Sequence, residues 1–80
     1  MIITLEISYY PLNDDITEPI NSFVEKLKCD DIKVTTGIMS TVLAGEYETV
    51  MKTLNHAMKE LMDSFPSVFN IKISNMCPIK

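Results

Sequence analysis

Residues 37–65 read GIMSTVLAGEYETVMKTLNHAMKELMDSF, and the apolar period changes partway along them. After Gly37, Met39 through Gly45 is a short apolar run that opens on the hydroxyl pair Ser40-Thr41, the pattern of a strand entered from a turn. From Tyr47 onward, Val50, Met51, Leu54, Ala57, Met58, Leu61, Met62 and Phe65 recur at helical spacing and form one broad stripe. The reading is a strand over Met39–Gly45 and a helix from Tyr47 to about Ser64. Glu46 lies at the positive end of that helix, and Pro66 stops the chain from continuing it. A helix that is apolar on one side needs a sheet to cover, so the rest of the chain has to supply the other strands.

The flanking sequence supplies them. Ile2–Tyr10 alternates, with Ile3, Leu5, Ile7 and Tyr9 on one face and Thr4, Glu6, Ser8 and Tyr10 on the other. Pro11 and Asn13-Asp14-Asp15 are expected to end that strand in a turn. Ile16 to Lys28 has Ile16, Ile20, Phe23, Val24 and Leu27 at helical spacing, with Thr17, Glu18 and Pro19 in its first turn. Ile32–Thr36 reads as a short strand closed by Gly37, and the tight connection to Met39 suggests an antiparallel hairpin. Ser67–Ser74 is the last strand, with Phe69, Ile71 and Ile73 opposite Val68, Asn70 and Lys72, followed by a tail over Asn75–Lys80.

The order strand, helix, strand, strand, helix, strand, with both helices apolar on one side, is met by an α+β ferredoxin-like βαββαβ sandwich. In it a four-stranded antiparallel sheet carries both helices on one face. Right-handed crossovers put the first and third strands side by side in the centre. The open face is then expected to carry Glu6, Ser8, Tyr10, Lys33, Thr35, Asn70 and Lys72. It also carries one parity of the third strand, either Ser40, Val42 and Ala44 or Met39, Thr41 and Leu43. Leu43 is expected in the core, and parity is otherwise open.

With 80 residues the chain is expected to be one domain near the lower size limit for independent stability, a margin that oligomerisation would relieve. No apolar run reaches the roughly 18 residues of a membrane span, and the first residues lack a basic leader, so a soluble, cytoplasmic protein is expected. Cys29 and Cys77 are far apart and outside any metal-ligand spacing, which suits a reduced setting. Net charge is −4, and all seven basic residues are lysines. Without arginine, and with no aromatic residue on the third strand, nucleic acid is not an expected partner.

Several chemistries known on this architecture lack their residues here. The turn after the first strand holds no C-x-x-C for copper, and there is no phosphate-binding loop or arginine for acyl-phosphate hydrolysis. His56 falls off the apolar stripe of its helix and reads as a solvated surface residue. The methionines mostly fill the stripe, and Asp14-Asp15 and Asp30-Asp31 read as turn and cap carboxylates. No nucleophile-and-base set can be assembled, so the chain is read as non-enzymatic, without cofactor or metal. Glu6 is the informative carboxylate, because a charge facing out of a central strand needs a partner. That partner is Lys33 or Lys72, or else a ligand's amine or cation beside the hydroxyls of Ser8, Ser40 and Thr41.

Four motifs together resemble the YkoF-like family of thiamine- and hydroxymethylpyrimidine-binding proteins. They are Tyr10-Pro11-Leu12, Gly37-Ile38-Met39-Ser40-Thr41, Gly45-Glu46-Tyr47-Glu48-Thr49-Val50-Met51 and Val68-Phe69-Asn70-Ile71-Lys72-Ile73, and in order and spacing they span essentially the whole chain. The resemblance implies a ferredoxin-like fold, a thiamine or hydroxymethylpyrimidine ligand, a role in uptake or salvage of thiamine precursors, and a homodimer or homotetramer of single-domain chains. It also implies that Ser40 and Thr41 contact the pyrimidine, with Tyr10 and Lys72 near the site and Glu6 as a partner. The competing expectation is an ACT-like regulatory or assembly module that binds a partner protein or another small molecule through the open face.

Overall fold

The computed structural model describes residues 1–76. The elements are β1 (Ile2–Pro11), α1 (Thr17–Leu27), β2 (Lys33–Thr36), β3 (Thr41–Glu46), α2 (Tyr47–Ser64) and β4 (Ser67–Ser74). The strands form one antiparallel sheet in the order β2-β3-β1-β4, which is the ferredoxin-like α+β arrangement with β1 and β3 in the centre. The core is one layer deep between sheet and helices. Ile3, Leu5, Ile7 and Leu43 from the central strands meet Phe23 and Leu27 of α1 and Val50, Leu54, Ala57 and Leu61 of α2, all buried.

The helix and strand boundaries follow local chemistry. Asp15 turns the chain into α1, because its Oδ1 accepts the Thr17 N–H at 3.0 Å while its carbonyl accepts the Asn13 amide at 2.7 Å. This satisfies one of the helix's free amides, so the helix starts at Thr17 rather than Ile16. β1 runs one residue further than expected, through Pro11, which pairs with Ser67. The reason is directional. Leu12 N–H donates to the Pro66 carbonyl at 2.8 Å, so position 11 turns its missing N–H the other way, where β3 has already left the ladder after Ile7.

The β2–β3 connection is two residues longer than expected. Thr36 pairs with Thr41, and the Gly37 N–H donates to the Ser40 carbonyl at 2.8 Å, so β3 starts at Thr41 and Met39 and Ser40 belong to the turn. At the tip, Ile38 is fully exposed and Met39 nearly so. Gly45 has an ordinary negative φ and is required for space. A Cβ there would lie 3.1 Å from the Asp31 carbonyl oxygen and 3.3 Å from Val50 Cγ2, where β3 passes the end of the α1–β2 loop.

Two apolar rows are only partly covered. On α2 the expected stripe divides: Val50, Leu54, Ala57 and Leu61 are buried, whereas Met51 and Met58 are half-buried and Met62 is exposed. On β4, Ile71 and Ile73 share the helix-facing side with Phe69 and yet stay exposed. Cys29 is half-buried and has no disulfide partner among the described residues. The Cys77 position lies outside the described residues, as does most of the expected tail. Among the described residues no helix is long and apolar enough to cross a membrane.

Candidate functional site

The segment Gly37–Thr41 lies at one end of the sheet and separates two environments. Leu43 is fully buried, which fixes β3 parity: Thr41 faces the helices and is buried, while Ser40, Val42 and Ala44 take the open face. Adjacent strand residues point to opposite faces, so Ser40 and Thr41 do not line one surface.

On the open face, the sheet brings Glu6, Ser40 and Lys72 together. Ser40 Oγ donates to Glu6 Oε2 at 2.8 Å, and Lys72 Nζ approaches Glu6 Oε1 at 3.9 Å from the register-paired position on β4. Lys72 is largely in solvent, so its pairing is a weak, screened contact, and the serine hydroxyl is the closer partner of the carboxylate. Ser8, opposite Asn70, and Tyr10, opposite Val68, continue along the same face of β1. Lys33 pairs with Ala44 on the far edge of the sheet and takes no part in this group.

On the helix side a cleft of about 100 Å3 opens between the start of α1, the hairpin tip and β1. Thr41 and its cross-strand neighbour Thr36 supply hydroxyls, Tyr9 and Phe23 supply aromatic surface, and Ile38 and Met39 form the outer rim. Tyr9 is held from three sides. Its ring stacks on Phe69 with centroids 4.7 Å apart, meets Phe23 at 5.0 Å, and its hydroxyl lies 3.0 Å from Ser67 Oγ. Ser40 borders this cleft as well, so the cleft and the Glu6 pair meet at one residue. Larger hollows, such as one of about 660 Å3 along the outer side of α1, are open and lined by charged and polar helix side chains such as Glu18, Glu25 and Lys26.

Sequence reasoning missed Thr36, Tyr9 and Phe23 as cleft residues. A signal was present: Thr36 has the parity of Val34, and Thr41 that of Leu43, so placing Leu43 in the core already sends Thr41 to the helix side. His56 is exposed on α2, with Nε2 3.5 Å from Glu60 Oε2. Glu60 also accepts a 3.0 Å hydrogen bond from Lys26 Nζ of α1. That bond and the ammonium charge, then the charge of His56, hold its carboxyl below the ordinary value. Among the described residues no three His, Cys, Asp or Glu side chains converge on a point that would hold a metal.

The sequence profile of the family described as thiamine-binding protein matches residues 5–75, which include Glu6, Tyr9, Ser40, Thr41 and Lys72. The chain belongs to this family. A thiamine-related role follows at the level of the family. Among solved structures, this thiamine-binding family member resembles a hypothetical protein of Methanocaldococcus jannascii, at 24% identity and a TM-score of 0.83, covering 99% of this chain and 84% of that one. It also resembles a Thermotoga maritima protein named as a putative thiamine biosynthesis/salvage protein (23%, TM-score 0.81, 92% and 83% covered). A third is a Streptococcus pneumoniae protein (22%, TM-score 0.84, 92% and 86% covered). At these identities the likeness speaks for the fold. No curated protein matches the chain.

Proposed function

We propose that this protein binds thiamine or its hydroxymethylpyrimidine precursor without transforming it, in the uptake or salvage of thiamine, as a soluble cytoplasmic homodimer or homotetramer. The observation that carries the reading is the family match across residues 5–75, which includes the segment where a cleft with hydroxyls and an aromatic wall borders the Ser40–Glu6 pair. An aminopyrimidine is flat, largely apolar on its faces and rimmed with donors and acceptors. It suits a wall made by Tyr9 and Phe23 with Thr41 and Ser40 at its edge. Glu6 supplies the acceptor for an amine or for the thiazolium cation, with Ser8, Tyr10 and Lys72 nearby.

At about 100 Å3 the cleft has about a third of the ~300 Å3 typical of small-molecule pockets. Ligand entry therefore moves the Ile38-Met39 rim outward, and the rim then folds its apolar side chains onto the ring. Titration calorimetry with thiamine and with hydroxymethylpyrimidine tests this reading. Saturable heat whose affinity falls about tenfold in Thr41→Val supports it, and the absence of heat with both compounds on folded protein overturns it.

A further inference from the structure

We propose that the groove between the end of α1 and the first half of α2 binds a phosphorylated small molecule by its phosphoryl group. The site lies apart from the cleft at the start of α1 and is independent of the ligand reading above.

The groove has two facing walls. On α2, Thr49, Lys52, Thr53 and His56 follow one another at i, i+3, i+4 and i+7, so they share one flank of the helix. Glu60, one turn further along that flank, accepts a 3.0 Å hydrogen bond from Lys26 Nζ, so the flank faces α1. The other wall is Lys26, in the last turn of α1, and Lys28, at its C-cap. Between them lies a groove of about 520 Å3, within the roughly 300–1,000 Å3 of small-molecule pockets. The eleven residues of α1, at ~1.5 Å each, put it about 16 Å from the helix start, where the cleft opens.

The charge of the groove runs against that of the protein. Net charge is −4 overall, yet the lining holds three of the seven lysines and the one histidine against a single carboxylate, Glu48. Lys26 and Lys28 pair with Glu60 at 3.0 Å and with Glu25 at 3.2 Å, two carboxylates outside the lining. Both carboxylates are well exposed, so these pairs are weak and screened and give way readily to a stronger anion. Lys52 takes part in no ion pair among the described residues.

These groups fit a phosphoryl group in number and kind. Each ammonium brings three donors as a compact point charge, the hydroxyls of Thr49 and Thr53 add two more, and the imidazole of His56 adds an N–H. A phosphoryl group carries up to two negative charges and several acceptor oxygens, enough to engage donors from both walls at once, whereas a carboxylate has one charge and two oxygens. The methylene stems of the lysines and the side chain of Cys29 line the groove with apolar surface for the organic part of the ligand. Glu48 and Glu60 bound the positive stretch at its two ends, 12 positions or about 18 Å apart along α2. That length suits one small anion and interrupts the track that the repeated phosphates of a nucleic acid strand would need.

An NMR titration of the 15N-labelled full chain with inorganic diphosphate, at constant ionic strength, tests the proposal. Saturable shifts centred on the amides of Thr49, Lys52, Thr53 and His56 are expected, with a dissociation constant below ~10 mM. Lys52→Gln breaks no ion pair among the described residues and is expected to weaken binding about three- to fivefold. Lys33→Gln removes the same charge from the opposite face of the sheet and is expected to leave the affinity unchanged. Shifts that fail to saturate by ~10 mM, shifts spread evenly over the lysines of the surface, or equal losses in the two variants overturn it. A parallel titration with thiamine keeps the two readings apart. Diphosphate shifts without thiamine shifts sink only the ligand reading, and thiamine shifts around Gly37–Thr41 without diphosphate shifts sink only this one.

Discussion

Ser40 Oγ donates a 2.8 Å hydrogen bond to Glu6 Oε2, tying the end of the β2–β3 turn to the central strand of the sheet. The bond closes the open-face side of the segment whose next residue, Thr41, faces the helices. It orients the carboxylate on the open face, where Lys72 Nζ lies 3.9 Å from Glu6 Oε1.

Substitutions at these neighbouring positions should therefore separate. Thr41→Val keeps the shape of the cleft wall and removes one hydroxyl, and it is expected to weaken thiamine or hydroxymethylpyrimidine binding about tenfold, near 1.4 kcal/mol. Glu6→Gln keeps the Ser40 contact and removes the charge, so it should weaken thiamine, a cation, more than neutral hydroxymethylpyrimidine. Calorimetry on the two variants with both ligands checks this. Equal losses for the two ligands in Glu6→Gln would remove Glu6 from the cation site.

Gly45→Ala is expected to destabilise the fold by about 1–3 kcal/mol, since the new methyl meets the Asp31 carbonyl oxygen at 3.1 Å and Val50 at 3.3 Å. Backbone oxygen and a buried side chain have little freedom to give way. Urea denaturation followed by circular dichroism measures the loss.

The aromatic group around Tyr9 carries both stability and cleft shape. Phe23→Ala removes a nearly fully buried ring that packs tilted against the stacked Tyr9–Phe69 pair and should cost about 3–5 kcal/mol. Tyr9→Phe loses only the hydroxyl contact with Ser67, a change of about 0.5–1.5 kcal/mol, and should leave ligand binding close to wild type. Thermal melts and calorimetry on the pair distinguish packing from recognition.

Glu60 gives a pH prediction with a definite sign. Its carboxyl is held below the ordinary value by the Lys26 hydrogen bond, then by the charges of Lys26 and His56. The folded state thus favours the ionised form. The resulting stabilisation is present above the unfolded carboxylate value and is lost as pH falls through the lower, folded one. The group is exposed, so the effect is small. Glu60→Gln should melt slightly below wild type at neutral pH, and the two curves should converge in acid.

Periodicity alone carried most of the fold. The stripe from Val50 to Leu61 placed α2 at its observed bounds, Tyr47–Ser64, and alternation in Ser67–Ser74 placed β4, because long regular patterns leave one consistent burial choice. The short elements were less legible. Over Gly37–Thr41 the expected strand began two residues early, since the turn's Gly37–Ser40 bond is a backbone contact that no side chain announces. The candidate site was legible as a segment and not as a surface: Glu6 and Lys72 were foreseen on one face with Ser40 as one of two open parities, while Tyr9, Phe23 and Thr36 were assigned only to core and strand.

The sequence by itself determined the order of elements, the central place of β1 and β3, and the chemical character of each strand face, because side-chain alternation and helical spacing are local properties of the chain. Only the tertiary structure decided that Ser40 and Thr41 serve opposite faces, since parity depends on which side the helices cover. It also decided that Ile71, Ile73 and Met62 stay uncovered. An edge strand has a neighbour on one side only, and an apolar pattern does not reveal whether anything lies on the other.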